Sequence, residues 1–151
     1  MDEKTDSHSH LATQIEADAS DKVNITSLSE GWYYVENMTA TLENELTIYG
    51  NVVLILGNSG NLTITGGINI PAGSSLTIYD GTYYAAGAFQ GGELVIQDED
   101  MTVDGALIIN SASLFKVDVN ITGSGSVRIN NGKVEIQSMG VSSDDVCFVD
   151  V

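Results

Sequence analysis

Residues 46–79 read LTIYGNVVLILGNSGNLTITGGINIPAGSSLTIY, and this stretch decides the fold. It contains no charged side chain, and short apolar triplets recur along it at residues 46–48, 54–56, 62–64, 68–70 and 76–78. A period of two residues places alternate side chains on the same side of a β-strand. We therefore expect the outer two residues of each triplet to be buried and the middle residue to point outward. The predicted inward residues are Leu46, Ile48, Leu54, Leu56, Leu62, Ile64, Ile68, Ile70, Leu76 and Ile78.

The spacing of these triplets predicts a β-solenoid, in which short strands stack coil on coil. Glycine, asparagine, serine and the single proline lie between the triplets and favour turns. Two periods fit the pattern. Leu-Thr-Ile recurs with spacings of 16 and 14, whereas Leu46 to Ile68 and Leu54 to Leu76 are both 22 residues apart. We favour the longer period, with three strands per coil, because it uses every triplet.

The strand pattern continues on both sides of the central stretch. We predict an all-β, right-handed parallel β-helix of about six coils over residues 23–151. Residues 1–22 are acidic and show no strand pattern, so we expect a flexible tail or a capping turn, with Leu11, Ile15 and Ala19 spaced as on a helical turn. Trp32 is expected to cap the core, with a ligand platform as the alternative.

Charge and composition exclude several classes of function. The chain has 21 acidic and 5 basic residues, a net charge of −16, so neither nucleic acid nor an anionic membrane surface is an expected partner. No apolar run is long enough to predict insertion into a membrane. One cysteine, Cys147, rules out an internal disulfide, and two histidines, His8 and His10, argue against a zinc site.

Tyrosine and threonine on the outward side of the central strands make a candidate glycan site. The outward residues pair as Thr47 with Tyr49, Thr63 with Thr65, and Thr77 with Tyr79. Tyrosine has an apolar ring and a polar tip, which suits stacking on sugar rings. The candidate ligand-binding residues are Tyr49, Tyr79, Thr63 and Thr65. The alternative is that these residues serve only the β-propensity of an exposed sheet.

A second candidate site is a group of carboxylates at residues 98–104. Calcium is bound by six to eight oxygen atoms, often from carboxylates on turns. Asp98, Asp100 and Asp104 are the candidate ligands, although their spacing does not match an EF-hand. A solvated acidic turn is the alternative, and no other cofactor is expected.

Catalytic residues are not evident from the pattern. A glycoside hydrolase needs two carboxylates about 5–10 Å apart, and a polysaccharide lyase needs a basic residue beside carboxylates. The solenoid carries few basic residues, and we expect Arg128 and Glu135 to form an ion pair between coils rather than a catalytic pair. We therefore predict that the protein is not an enzyme. A carbohydrate-active enzyme, or a fragment of one, is the alternative.

Residues 31–81 resemble the right-handed parallel β-helix regions of large secreted bacterial surface proteins. The resemblance rests on Gly-Trp-Tyr-Tyr at 31–34, the apolar run 52–56 and GINIPAGSSLTIY at 67–79. It implies a non-catalytic module for adhesion, assembly or carbohydrate binding, on a protein that is secreted or at the cell surface, with no signal peptide in this chain. The strand pattern at residues 146–151 further predicts self-association by strand addition.

Overall fold

The structure is a computed structural model and describes residues 3–5, 11–81 and 91–139. Within these ranges the protein contains fifteen β-strands and no helix, so nothing helical there is long and apolar enough to cross a membrane. The strands are β1 (Glu3–Thr5), β2 (Leu11–Gln14), β3 (Lys22–Val23), β4 (Ser27–Val35), β5 (Met38–Leu42), β6 (Leu46–Leu56), β7 (Gly60–Ile64), β8 (Ile68–Ile70), β9 (Ser75–Asp80), β10 (Glu93–Ile96), β11 (Met101–Val103), β12 (Ala106–Ile109), β13 (Leu114–Thr122), β14 (Ser126–Ile129) and β15 (Val134–Met139).

The strands stack into three faces, each with six parallel strands. Face A contains β3, β5, β7, β10, and the first halves of β13 and β15. Face B contains β2, the second halves of β4 and β6, and then β9, β12 and β14. Face C contains the first halves of β4 and β6, then β8, β11, and the second halves of β13 and β15. Each coil adds one strand to every face, so the predicted β-solenoid of about six coils is confirmed.

The strand registers confirm the longer of the two repeat periods. Leu46 lies beside Ile68, 22 residues further along the chain, as expected. The second predicted pair is wrong by two residues, because Leu54 lies beside Ile78 and Leu76 lies beside Val52. The coil that includes residues 82–90 is longer, and its strands bring Leu62 beside Leu94.

The core is a column of stacked aliphatic side chains enclosed by the three faces. All ten predicted inward residues are at most 3% exposed, which confirms the two-residue period. Parallel register places like side chains above one another, as with Leu46, Ile68 and Met101 on face C. Burial of one such side chain contributes about 1.5–3 kcal/mol. The core among the described residues contains no buried polar or charged side chain.

The first coil differs from the expectation for residues 1–22. The helical turn is wrong for Leu11–Gln14, which form β2 and pair in parallel with β4. β1 then pairs with β2 in the antiparallel sense, the one such pairing among the described strands. Ile15 is buried in the core, so the solenoid already encloses apolar side chains before Val23.

Glycines allow the coils to approach closely at the corner between faces C and B. A Cβ atom on Gly125 would lie 2.0 Å from the backbone oxygen of Gly105, and one on Gly105 would lie 2.0 Å from the backbone oxygen of Ser74. Real Cβ atoms do not come so close to backbone atoms. Since both neighbours are backbone held in the sheet, a larger residue at either position requires the coils to separate.

We predict that Gly125→Ala destabilises the protein by roughly 2–3 kcal/mol, because the added methyl group overpacks this corner. The matched control is Ser126→Ala, the same final residue one position later, for which we expect a change within about 0.5 kcal/mol. Urea unfolding followed by circular dichroism measures both. Equal unfolding midpoints for the two variants would contradict the close approach.

Candidate functional site

The outward side of face B carries a second apolar cluster, separate from the core. Ala12, Tyr34 and Ile55 are buried in it, and Trp32, Val53 and Tyr79 pack against them; we call these six residues the outer cluster. Strand register explains how it forms. Tyr34, Ile55 and Tyr79 are lateral neighbours on β4, β6 and β9. Two residues earlier along the strands, Ala12, Trp32 and Val53 are lateral neighbours on β2, β4 and β6.

Two aromatic rings in this cluster stack on each other. The ring centroids of Trp32 and Tyr79 are 6.0 Å apart, and the ring planes differ by 17°. Trp32 lies on β4 and Tyr79 on β9, with β6 between them. Strands that are two apart are separated by about 9.5 Å, so the rings lean towards each other across β6. Ile55, the middle residue of its triplet, points outward as expected, but the cluster covers it and leaves it only 2% exposed.

The sequence predicted that Trp32 caps the core, and this prediction is wrong. Trp32 lies on β4 beside Ala12 of β2, and its side chain packs on the outer side of the sheet. Tyr34 also lies on this side, and its hydroxyl donates a hydrogen bond to Oε1 of Gln14 at 3.5 Å. Sequence reasoning found the aromatic residues but not their contact, because the contact joins positions 47 residues apart.

The four residues of the predicted glycan site lie at separate places. Tyr79 is half-buried in the outer cluster. Tyr49 is 54% exposed and precedes Gly50, where β6 turns from face C to face B. Six positions separate Tyr49 from Ile55, the neighbour of Tyr79, which corresponds to about 20 Å along a strand. Thr63 lies on face A, and Thr65 lies just after β7, where its N–H donates to the Leu42 carbonyl oxygen.

A pocket of about 270 Å³ lies on the outward side of face A. Thr63 is one of its lining residues, together with Thr39 on β5 and Asn61 on β7. β10 contributes Glu93 and Val95, which the sequence did not single out. The pocket brings together outward residues from three successive coils, so it depends on the register between coils.

Two of the three carboxylates proposed for calcium, those of Asp100 and Asp104, accept hydrogen bonds from the backbone of the next coil. Oδ1 of Asp100 accepts a hydrogen bond from the Asn120 N–H at 3.1 Å. Oδ1 of Asp104 accepts hydrogen bonds from the Ser124 N–H at 3.0 Å and the Ser124 hydroxyl at 3.2 Å. Asp98 lies in a turn with φ of 76°. Among the described residues, no group of three or more histidine, cysteine, aspartate or glutamate side chains is placed to hold a metal ion, so these three do not form such a group.

Three basic residues make side-chain contacts at the surface. Lys22 pairs with Glu43 at 2.7 Å, and Lys116 pairs with Asp118 at 3.6 Å. The expected ion pair of Arg128 with Glu135 is wrong, because the two residues lie on faces B and A respectively. Nε of Arg128 instead donates to Oδ1 of Asn130 at 3.1 Å.

Comparison of this chain with protein-family models, with curated proteins and with solved structures gave no match. The fold implied by the resemblance to bacterial surface proteins is present, but membership of such a family gains no support from the comparisons. The described residues do not include His8, His10, residues 82–90 or residues 146–151.

Asp18 organises the turn between β2 and β3. Its Oδ2 accepts a hydrogen bond from the Asn24 amide at 2.9 Å, and its Oδ1 accepts from the N–H groups of Ser20 at 2.8 Å and Lys22 at 3.1 Å. These donors, the Asn24 amide foremost, lower the pKa of the Asp18 carboxyl below its usual value of 3.8. The charged carboxylate thus stabilises the folded state.

This shift predicts how stability depends on pH. A lowered pKa in the folded state contributes stability above the unfolded value of 3.8, and that contribution disappears as the pH falls through the lower folded pKa. We expect wild type to be more stable than Asp18→Asn at neutral pH, and this difference to shrink as the pH falls below 3.8. Urea midpoints across the pH range measure it. Asp21→Asn, which removes a charge from the same turn, is the matched control, and a difference constant with pH would contradict the prediction.

The hydrogen bonds of Asp104 predict a structural cost without calcium. Asp104→Ala should destabilise the protein by about 1 kcal/mol, because two donors on Ser124 lose their acceptor at an exposed corner. Glu99→Ala, another exposed carboxylate in the same region, should change stability by less than about 0.5 kcal/mol.

Calcium binding at Asp98, Asp100 and Asp104 stays a prediction, and the same two variants test it. If the site exists, excess calcium raises the thermal midpoint of the wild type relative to EDTA, and Asp104→Ala abolishes that difference while Glu99→Ala keeps it. An identical wild-type midpoint in calcium and in EDTA would rule the site out.

Proposed function

We propose that this chain is a non-catalytic extracellular module that forms a stiff β-solenoid for surface adhesion or assembly and binds glycans on face B. The observation that carries the proposal is the stacked pair of Trp32 and Tyr79 on the outward side of the sheet. Both rings are partly accessible rather than buried in the core.

The chemistry of this pair suits a sugar ring. Aromatic side chains offer a large apolar surface with a polar edge, the hydroxyl of tyrosine or the N–H of tryptophan. The pair packs on Ile55 and Val53, whose strand is hydrogen-bonded to a strand on each side. A platform held in this way loses little conformational freedom when a ligand binds. Thr77, beside Val53 on the same face, adds a neutral hydroxyl nearby.

The rest of the molecule suits a role as a rod. Every coil is hydrogen-bonded to the next on three faces, which resists bending in every direction. The net charge of −16 favours solubility through mutual repulsion between copies of the protein.

The edge of the last strand on face B offers a site for assembly. β14 pairs with β12 on one side and has no other partner among the described strands, so its second edge is a candidate for strand addition. Assembly through residues 146–151 is part of the proposal.

A glycan array with the purified chain, followed by titration of the best ligand, tests the proposal. We expect Trp32→Ala and Tyr79→Ala each to weaken binding by about two- to tenfold, since one stacked ring is worth roughly 0.5–1.5 kcal/mol. Tyr79→Phe keeps the ring and should retain most of the affinity. Tyr49→Ala removes a tyrosine on face C, before the corner at Gly50, and should cost less.

The outcomes separate the parts of the proposal. Circular dichroism and the thermal midpoint first establish that each variant is folded. Full binding by a folded Trp32→Ala/Tyr79→Ala double variant would remove the platform, and a larger loss with Tyr49→Ala would move the site to the corner at Gly50. Turnover of any polysaccharide by the purified chain would overturn the non-catalytic role and favour the carbohydrate-active enzyme.

A further inference from the structure

The pocket on face A contains a buried acceptor with no hydrogen-bond partner. Oδ1 of Asn61 is buried and unpaired, whereas the other end of the same amide, Nδ2, donates to the Thr39 hydroxyl oxygen at 3.4 Å. This contact orients the amide towards β5 and leaves Oδ1 on its other side. An unpaired buried acceptor costs about 1–3 kcal/mol, so a ligand that donates to it recovers that cost.

A carboxylate lies on the next strand beside this acceptor. Glu93 on β10 is the register neighbour of Asn61 on β7, and adjacent strands are about 4.8 Å apart. Glu93 is exposed, and no hydrogen bond or ion pair joins its carboxylate to any side chain that the structure describes. Asn61 and Glu93 therefore line the same pocket, and no hydrogen bond joins their side chains.

The remaining walls are suited to an alkyl chain. Val95 lies two positions along β10 from Glu93 and lines the pocket, whereas Leu62, which also borders it, has its side chain in the core. Thr63 adds a hydroxyl beside Val95 on the neighbouring strand. The pocket thus combines the acceptors of Glu93 and Asn61 with the apolar side chain of Val95, two residues further along β10.

We propose that this pocket binds a primary alkylammonium group, with Glu93 and Asn61 as its acceptors and Val95 beside its methylene chain. An ammonium group supplies three donors and no acceptor, which matches a pocket rich in acceptors. A hydrogen bond between charged partners is stronger than one between neutral groups, and methylene groups of a lysine-like chain pack on apolar walls. The acidic protein also attracts cations to its surface. The group could belong to a lysine side chain of a partner polypeptide or to a free diamine, which share this chemistry.

Titration followed by NMR tests the proposal with defined probes. Nα-acetyl-lysine N-methylamide presents the lysine side chain, 1,5-diaminopentane presents a free diamine, and Nα-acetyl-norleucine N-methylamide lacks the amine. We expect the first or the second probe to shift the side-chain amide signals of Asn61 and the backbone signals of Glu93, and the norleucine compound to leave them unchanged. Binding of only one amine probe identifies the source of the group.

Two glutamate variants distinguish this site from general attraction of cations. Glu93→Gln should weaken binding at least tenfold, whereas Glu99→Gln, which removes the same charge from an exposed turn, should leave the affinity within twofold. Asn61→Ala should weaken binding without changing the stacked pair on face B. Equal losses in the two glutamate variants, equal binding of the norleucine compound, or no shift at Asn61 with either amine would overturn the proposal. These outcomes are independent of the glycan array, because Trp32 and Tyr79 lie on a different face.

Discussion

Backbone hydrogen bonds between successive coils are the interaction on which the rest of this structure depends. Among the described strands, only β1 and β2 pair with each other as consecutive antiparallel strands; all other pairings join strands one coil apart. The ladder also continues around corners, where the Gly57 N–H donates to the Val35 carbonyl at 2.7 Å and the Gly125 N–H to the Val103 carbonyl at 2.8 Å. Coils bonded in this way stack at a fixed distance, so the side chains at each corner must fit within it.

This constraint explains why several acidic residues lie at the corners, where their carboxylates accept hydrogen bonds from backbone N–H groups. Buried or partly buried N–H groups need an acceptor, and at some corners a carboxylate of the neighbouring coil supplies it. Asp100 and Asp104 provide it for Asn120 and Ser124, and Oε1 of Glu30 accepts from the Asn51 N–H at 3.3 Å. Carboxylates at corners thus join one coil to the next while their charge remains at the surface. In the acidic segment 98–104, Asp100 and Asp104 both make contacts of this kind with the next coil.

The strand register between coils decides which side chains surround each outward residue. On face B, register brings aromatic and branched residues together, and their apolar surfaces pack into the outer cluster. On face A, register places Thr39, Asn61 and Glu93 in a row, which leaves polar groups around a pocket. Both surfaces are built on strands that are hydrogen-bonded on either side. A solenoid of this kind can therefore present different binding surfaces on different faces without changing its core.

The sequence alone determined the strands of the central stretch, the inward residues and the approximate period, because alternation of apolar and polar side chains is a local property of each strand. Leu46 and Ile78 were predicted inside for this reason, and they are. The sequence did not predict β2. Only the tertiary structure decided which strands lie side by side, since that depends on the length of each corner and the packing between coils. A shift of two residues at one corner brings Leu54 beside Ile78, and no local pattern reveals it. The same non-local register decided that Ile55 is buried on an outer face, that Trp32 contacts Tyr79, and that Arg128 and Glu135 lie on different faces.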